Sequence, residues 1–166
     1  MIRYLFDTDT CIFAINRSSG YERVLARMNG LLYGQVLISI VTLCELEAGI
    51  AKSMRQDHNR RRVEHFIARL EVVPLDEPVA KRYGDVRAFL ERRGKQIGPL
   101  DTLIAAHALG LGAVLVSNNT KEFSRVPGLR LQNWLACLFK SSGFRPRFKS
   151  IIADGSRPCT LGSISF

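Results

Sequence analysis

The sequence predicts an α/β protein whose mostly parallel sheet is covered by helices on both faces. Short β-rich runs alternate along the chain with longer amphipathic stretches, and this alternation is typical of a parallel sheet. The 166 residues, 46% of them hydrophobic, suffice for one domain with a buried core. No internal repeat is evident. In such sheets, ligands bind beyond the carboxyl ends of the strands.

The strand predictions rest on short runs that are rich in β-branched and apolar residues and end at polar or turn-forming residues. We predict strands over residues 2–6, 36–41, 71–75, 113–117 and 129–133.

Two helices are predicted from apolar residues spaced three and four apart. In "RRRVEHFIARL" the apolar face consists of Val63, Phe66, Ile67 and Leu70. In the helix over 77–94 it consists of Val79, Tyr83, Val86 and Leu90. Pro78 suits the first turn of this second helix, and Gly94 suits its C-terminal end.

The charge of the chain indicates a polyanionic partner. Lys and Arg number 24 against 15 Asp and Glu, a formal net charge of +9, which is typical of nucleic-acid binding. The periodic pattern fades near residue 138. We therefore predict a domain over 1–137 and a basic tail over 138–166 that is flexible or loosely docked. The tail's charged residues are Lys140, Arg145, Arg147, Lys149, Asp154 and Arg157.

The cysteines and the N-terminus favour a cytoplasmic protein without disulfides. The four cysteines form no Cys-x-x-Cys pair, and Cys11 and Cys44 are predicted to be buried thiols in helices. Asp7 interrupts the apolar stretch that a signal peptide would need, and no apolar run is long enough to span a membrane.

Three carboxylates lie at junctions that a parallel sheet gathers at one edge. Asp7 follows the first strand, Glu45 follows the second, and Asp101 begins an apolar helix. Each also has a structural explanation. Asp7 suits a helix N-cap, Glu45 lies at capping-box spacing from Thr42, and Asp101 suits a cap as well. Asp9 suits the first turn of a helix.

Converging carboxylates repel one another unless a divalent cation neutralises them. Because no His or Cys set accompanies them, hard oxygen ligands favour Mg²⁺ or Mn²⁺. A metal-holding acidic pocket on a basic protein suggests a nuclease. Asn119 and Glu122 follow the fourth strand and are further candidates. Glu47 should point away from Glu45 on a helix, and His107 is interpreted as a core residue.

Three stretches, "FDTDTCIFAI", "SIVTLCELEAGI" and "YGDVRAFLERRGKQIGPLDTLIAAHALGLGAVLVSNNTKEFSRVPGLRLQNW", resemble the PIN-domain ribonucleases, and within them the VapC-type toxins. The resemblance covers most of residues 1–135. It implies a PIN-like three-layer α/β/α sandwich and a Mg²⁺- or Mn²⁺-dependent endoribonuclease that cuts structured RNA, namely tRNA. It also implies a VapB-type antitoxin and a homodimer.

By this resemblance Asp7, Glu45 and Asp101 are the catalytic and metal-binding acids. Asp9 stands where the family often has Asn, which adds charge to the pocket. Asn119 stands where many relatives carry an acid, and Glu122 could substitute for it.

For RNA contacts, the phosphate-binding candidates are Arg60, Arg61, Arg62, Arg92, Arg93 and Lys95.

Three other functions remain open from the sequence. A flap-type DNA nuclease would use the same acidic pocket, and only a substrate assay separates it from a ribonuclease. "DTDTC" also resembles the first motif of haloacid dehalogenase-like phosphohydrolases, in which Asp7 would be the nucleophile and Asp9 the general acid. Cys11 stands where that motif has Thr or Val, and "SNNTKEF" lacks the paired acidic motif of that family. A non-catalytic RNA-binding PIN domain is the other alternative, and it is supported by Asn119.

Overall fold

The computed structural model describes residues 1–136. The basic tail predicted over 138–166 lies outside these residues. The five strands are β1 (Tyr4–Phe6), β2 (Val36–Ser39), β3 (Glu71–Val73), β4 (Val114–Val116) and β5 (Arg130–Gln132). Each predicted strand is present, and each is shorter than the run that predicted it.

Helices fill most of the intervals between the strands. They are α1 (Thr8–Ile15), α2 (Tyr21–Asn29), α3 (Ile40–Lys52), α4 (Gln56–Ile67), α5 (Glu77–Arg92), α6 (Pro99–Gly110) and α7 (Thr120–Phe123). Within residues 1–136, no helix combines the length and the apolar character that crossing a bilayer requires.

The sheet is parallel throughout, in the order β3-β2-β1-β4-β5. The central strand β1 pairs with β2 on one side and β4 on the other, so that Leu5 lies opposite both Leu37 and Leu115. The chain therefore places β2 and then β3 on one side of β1, crosses over, and places β4 and then β5 on the other side.

Alternate residues of β1 supply two separate cores. Leu5 packs with α5 and α6 on one face of the sheet, whereas Phe6 packs with α1, α2 and α4 on the other. Both side chains are fully buried. This arrangement confirms the predicted three-layer α/β/α sandwich and its parallel sheet.

Trp134 closes the core on the Phe6 face, shortly after β5. Its ring meets the rings of Tyr4 and Phe6 edge to face, at centroid distances of 5.0 and 5.2 Å. The guanidinium of Arg27 lies 5.4 Å from the centre of the indole, and the indole N–H donates to the side chain of Gln132. Residues from both ends of the described chain thus form one aromatic cluster.

Two local predictions for α3 are wrong. Ser39, not Thr42, caps the helix, since its hydroxyl accepts the main-chain N–H of Val41. Thr42 lies inside the helix, and its buried hydroxyl has no hydrogen-bond partner among residues 1–136. Cys44 is exposed because Leu46 and Ile50 set the buried side of α3, whereas Cys11 is buried as predicted.

Candidate active site

The site lies where the strand order reverses. β1 and β4 are neighbours in the sheet, but the chain leaves β1 towards β2 and reaches β4 from the far side. The carboxyl ends of β1 and β4 therefore open into one crevice, the usual ligand position in such a sheet. Asp7 follows β1 directly and Ser117 follows β4 directly.

Asp7 is held through both of its carboxylate oxygens. It is the N-cap of α1, where Oδ1 accepts the main-chain N–H of Thr10 at 2.8 Å. The hydroxyl of Ser117 donates to Oδ2. The cap predicted from the sequence is real, and the same carboxylate also lines the crevice.

Burial raises the pKa of Asp7 from an ordinary 3.8 to about 6, although the hydrogen bonds from Ser117 and Thr10 oppose the shift. Only 3% of the residue is exposed. A carboxylate that is costly to ionise in this position gains from a nearby cation.

Glu45 reaches the crevice from α3, which begins immediately after β2. Because β2 lies beside β1, the first turns of α3 lie near the N-terminal end of α1. The hydroxyl of Thr8 donates to Oε2 of Glu45. The half-buried carboxylate is therefore oriented by the residue that follows Asp7.

Asp101 enters the crevice from the first turn of α6, a helix buried over Thr102 and 104–108. It is not the N-cap, which is Gly98. A Cβ added at Gly98 would lie 3.0 Å from Oδ2 of Asp101, so the glycine leaves room for this carboxylate. Burial, followed by the negative charges of Glu122, Glu45 and Asp9, raises the pKa of Asp101 to about 6.

One cavity of about 430 Å³ brings the predicted acids together. It is lined by Asp7, Thr8, Asp9, Ile12, Glu45, Ala48, Gly49, Lys52, Leu100, Asp101 and Asn119. Glu122 does not line it, but its carboxylate accepts a hydrogen bond of 3.1 Å from Nδ2 of Asn119. Glu47 points elsewhere, as predicted, and pairs with Arg60 at 3.1 Å.

The donor set of this cavity suits a hard divalent cation, because it consists of carboxylate and amide oxygens. As the side chains stand, no three His, Cys, Asp or Glu residues within 1–136 are close enough together to hold a metal ion. Uncompensated carboxylates repel one another, so a cation would be expected to draw them inwards. The chemistry of the donor atoms fits a divalent metal ion. The carboxylates would come close enough together to hold it only as the ion binds.

His107 lies in the core, as predicted, and does not line the cavity. Its Nδ1 is 2.9 Å from Oγ of Ser39, whereas its buried Nε2 has no hydrogen-bond partner in the described part of the chain. Burial lowers the pKa of His107, which keeps the imidazole neutral.

The structure places the predicted RNA-binding residues away from the cavity. Arg60 pairs with Glu47, and Arg62 donates to the carbonyl oxygen of Ile15. Arg61 lines a different cavity, which lies between α1, α2 and α4. Arg93 stacks on the ring of Phe89 at 4.3 Å. Their role in RNA binding stays a prediction.

Lys52 is a cavity residue that sequence reasoning missed. It lies seven residues after Glu45 on α3, which places both on one side of the helix. That spacing is the signal that could have identified it.

The chain matches the model of the PIN domain over residues 4–129. It is 42% identical over 134 residues to the "tRNA(fMet)-specific endonuclease VapC" of Salmonella typhimurium, covering 81% of this chain and 99% of that relative. Two solved structures are also similar to it.

The first is DNA-bound VapBC from Salmonella typhimurium, with a TM-score of 0.76, 42% identity and coverage of 81% of this chain and 99% of that one. The second is VapBC2 from Rickettsia felis bound to a promoter DNA fragment, with a TM-score of 0.74, 38% identity and the same coverage. The strand order, the crevice between β1 and β4, and these matches agree: the chain belongs to the PIN-domain family.

Proposed function

We propose that this protein is the toxin of a type II toxin–antitoxin system and acts as a metal-dependent endoribonuclease. The observation that carries the proposal is the convergence of Asp7, Glu45 and Asp101 on one cavity at the switch point of a PIN domain. The relatives named as VapC ribonucleases support the same activity. They support neither a phosphohydrolase nor a non-catalytic RNA-binding domain.

PIN-domain ribonucleases generally depend on divalent metal ions, and we assign Mg²⁺ or Mn²⁺ to the cavity. Asp7, Glu45 and Asp101 would hold it. Asp9, Asn119 and Glu122 are weaker candidates, with Glu122 orienting the amide of Asn119. The bound ion would supply a water activated for attack and charge stabilisation at the phosphate. The chain's own contribution is to orient the carboxylates through Thr8, Thr10 and Ser117.

The substrate we propose is a tRNA that is cut in a single-stranded loop. The relative from Salmonella typhimurium is named as specific for tRNA(fMet), so initiator tRNA is the first to test. Unstacked loops are where proteins reach individual nucleotides. With a net charge of +9, the chain should bind RNA less tightly as salt rises.

The partner we propose is a VapB-type antitoxin, because the similar solved structures are VapBC complexes. An Arg presented to the carboxylates would occupy the place of the metal, so antitoxin and Mg²⁺ should compete. A homodimer is also proposed, and it rests on the family alone.

The test is cleavage of purified initiator tRNA with Mg²⁺ or Mn²⁺, compared with the same reaction in excess EDTA. Wild-type protein should cut, and Asp101→Asn should not, although circular dichroism shows it folded. Glu47→Gln is the matched control and should cut normally. Full activity of Asp101→Asn in EDTA would disprove the metal assignment. Preferential cutting of unstructured RNA, with the tRNA left intact, would disprove the substrate.

A further inference from the structure

We propose that Lys52 binds a phosphate of the substrate RNA beside the one that is cut, and that the side of α3 between Glu45 and Lys52 is the track along which the RNA backbone lies. This inference rests on the proposed ribonuclease function and adds to it a substrate-binding residue.

The composition of the cavity lining singles Lys52 out. The lining contains four carboxylates, Asp7, Asp9, Glu45 and Asp101, and one basic side chain, that of Lys52. A cation beside so many carboxylates would be expected to pair with one of them. Within residues 1–136, however, Lys52 makes no salt bridge. Lys52 is also exposed, so its ammonium group is accessible to a ligand at the cavity.

The spacing along α3 indicates which phosphate Lys52 would contact. Seven residues separate it from Glu45, which corresponds to ~10 Å along the helix axis. Glu45 belongs to the group that would hold the metal, so the scissile phosphate lies at that end. A cation two turns away lies beside a neighbouring phosphate of the same strand.

The residues between these two charges leave room for a nucleic-acid backbone. Ala48 and Gly49 line the cavity between Glu45 and Lys52. Gly49 has no side chain and is buried, and Ala48 carries a single methyl group. α3 itself therefore places no large side chain between the two charges, which leaves room for a sugar–phosphate chain on this side of the helix. Lys suits this role, since its ammonium group is a compact charge that contacts a phosphate without demanding a fixed geometry.

The experiment compares Lys52→Gln and Lys52→Arg with the wild type, using purified initiator tRNA as the probe. Lys81→Gln is the matched control, because Lys81 is exposed on α5 and lines none of the described cavities. Lys52→Gln should raise KM about tenfold, the equivalent of about 1.4 kcal/mol, and change kcat little. Lys52→Arg should keep most of the affinity, and Lys81→Gln should match the wild type.

Binding of the same tRNA in EDTA, measured by fluorescence anisotropy over a range of salt, separates this contact from catalysis. Lys52→Gln should lose one phosphate contact. The slope of log affinity against log salt concentration should therefore become less steep by about 0.7. An unchanged slope and KM would overturn the proposal. So would tighter Mn²⁺ binding by Lys52→Gln with unchanged RNA affinity, since Lys52 would then only offset the carboxylates.

The two proposals fail differently. If wild-type protein does not cut the tRNA but Lys52→Gln still reduces the salt slope, the phosphate contact stands and the ribonuclease function falls. If the wild type cuts and Lys52→Gln behaves like Lys81→Gln, only the Lys52 assignment is overturned.

Discussion

The hydroxyl of Ser117, at the carboxyl end of β4, donates a hydrogen bond to Oδ2 of Asp7, at the carboxyl end of β1. The two residues are 110 positions apart in the chain, and they directly follow two neighbouring strands of the sheet. This bond leaves Asp7 with a fixed orientation towards the cavity. It also ties together the two strands whose ends form the active-site crevice.

Replacing Ser117 by Ala should therefore lower activity without unfolding the protein. Loss of a partner that orients a metal ligand typically costs 10- to 100-fold in activity or metal affinity, and we expect a loss in this range. Metal titration of tRNA cleavage measures it. Ser124→Ala is the control, because Ser124 is exposed and its hydroxyl donates to the main-chain carbonyl of Lys121 in α7. Wild-type metal dependence in Ser117→Ala would contradict this role.

Glu45→Gln and Glu47→Gln should differ strongly, although the two glutamates are only two residues apart. Glu45 lines the cavity and is oriented by Thr8, whereas Glu47 pairs with Arg60 on the surface. We expect a loss of at least about 100-fold in kcat for Glu45→Gln and little change for Glu47→Gln. A similar loss of kcat in both variants would show that the side of α3 that carries Glu45 is not the catalytic side.

Asp7→Asn should stabilise the metal-free protein at pH 7. The pKa of Asp7 is raised from 3.8 to about 6. Protonated Asp7 therefore makes its full contribution to the free energy of unfolding below pH 3.8, and this contribution is lost as pH rises through 6. The size of the pKa shift limits this contribution to the free energy of unfolding to about 3 kcal/mol. Asn keeps an oxygen for the cap of α1 and carries no charge.

Urea unfolding in EDTA at several pH values between 4 and 7 measures this effect. The difference in free energy of unfolding between Asp7→Asn and the wild type should grow with pH. Taking the difference cancels the opposite contribution of His107, whose lowered pKa makes the fold less stable as pH falls. Asp85→Asn, at an exposed position on α5, should show no such trend. A difference that shrinks as pH rises would contradict the raised pKa of Asp7.

Gly98→Ala should reduce activity through Asp101 alone. The added Cβ would lie 3.0 Å from Oδ2 of Asp101 and displace that carboxylate, whereas the backbone at Gly98 accepts any residue. We expect a loss of about tenfold in kcat, since small misplacements of catalytic groups are costly. In contrast, Gly84→Ala adds a Cβ with no atom within 4 Å and should leave kcat unchanged. Equal activity of the two variants would show that Asp101 tolerates the shift.

The strands and the position of the three acids at one cavity were predictable, because both depend on local pattern and on topology. Asp7, Glu45 and Asp101 each follow a strand or begin a helix, and a parallel sheet brings such positions to one edge. The short β-rich runs likewise predicted that there are five strands, but they did not predict the residue at which each strand begins or ends.

The two errors in α3 have separate causes. Thr42 and Glu45 have capping-box spacing, yet Ser39 caps the helix, which begins two residues before Thr42. Cys44 is exposed because Leu46 and Ile50 form the buried side of α3, and the apolar pattern around Cys44 did not show which side that would be. The contacts of Thr8 with Glu45 and of Ser117 with Asp7 join distant parts of the chain, so no spacing in the sequence reveals them.

The aromatic cluster around Trp134 bears on how the protein is synthesised. Tyr4 and Phe6 are synthesised well before their partner Trp134, which follows the last of the described strands. A nascent chain that ends before β4 lacks Ser117 and has no strand on one side of β1. The proposed nuclease therefore stays incomplete until Trp134 has been synthesised and can pack against Tyr4 and Phe6.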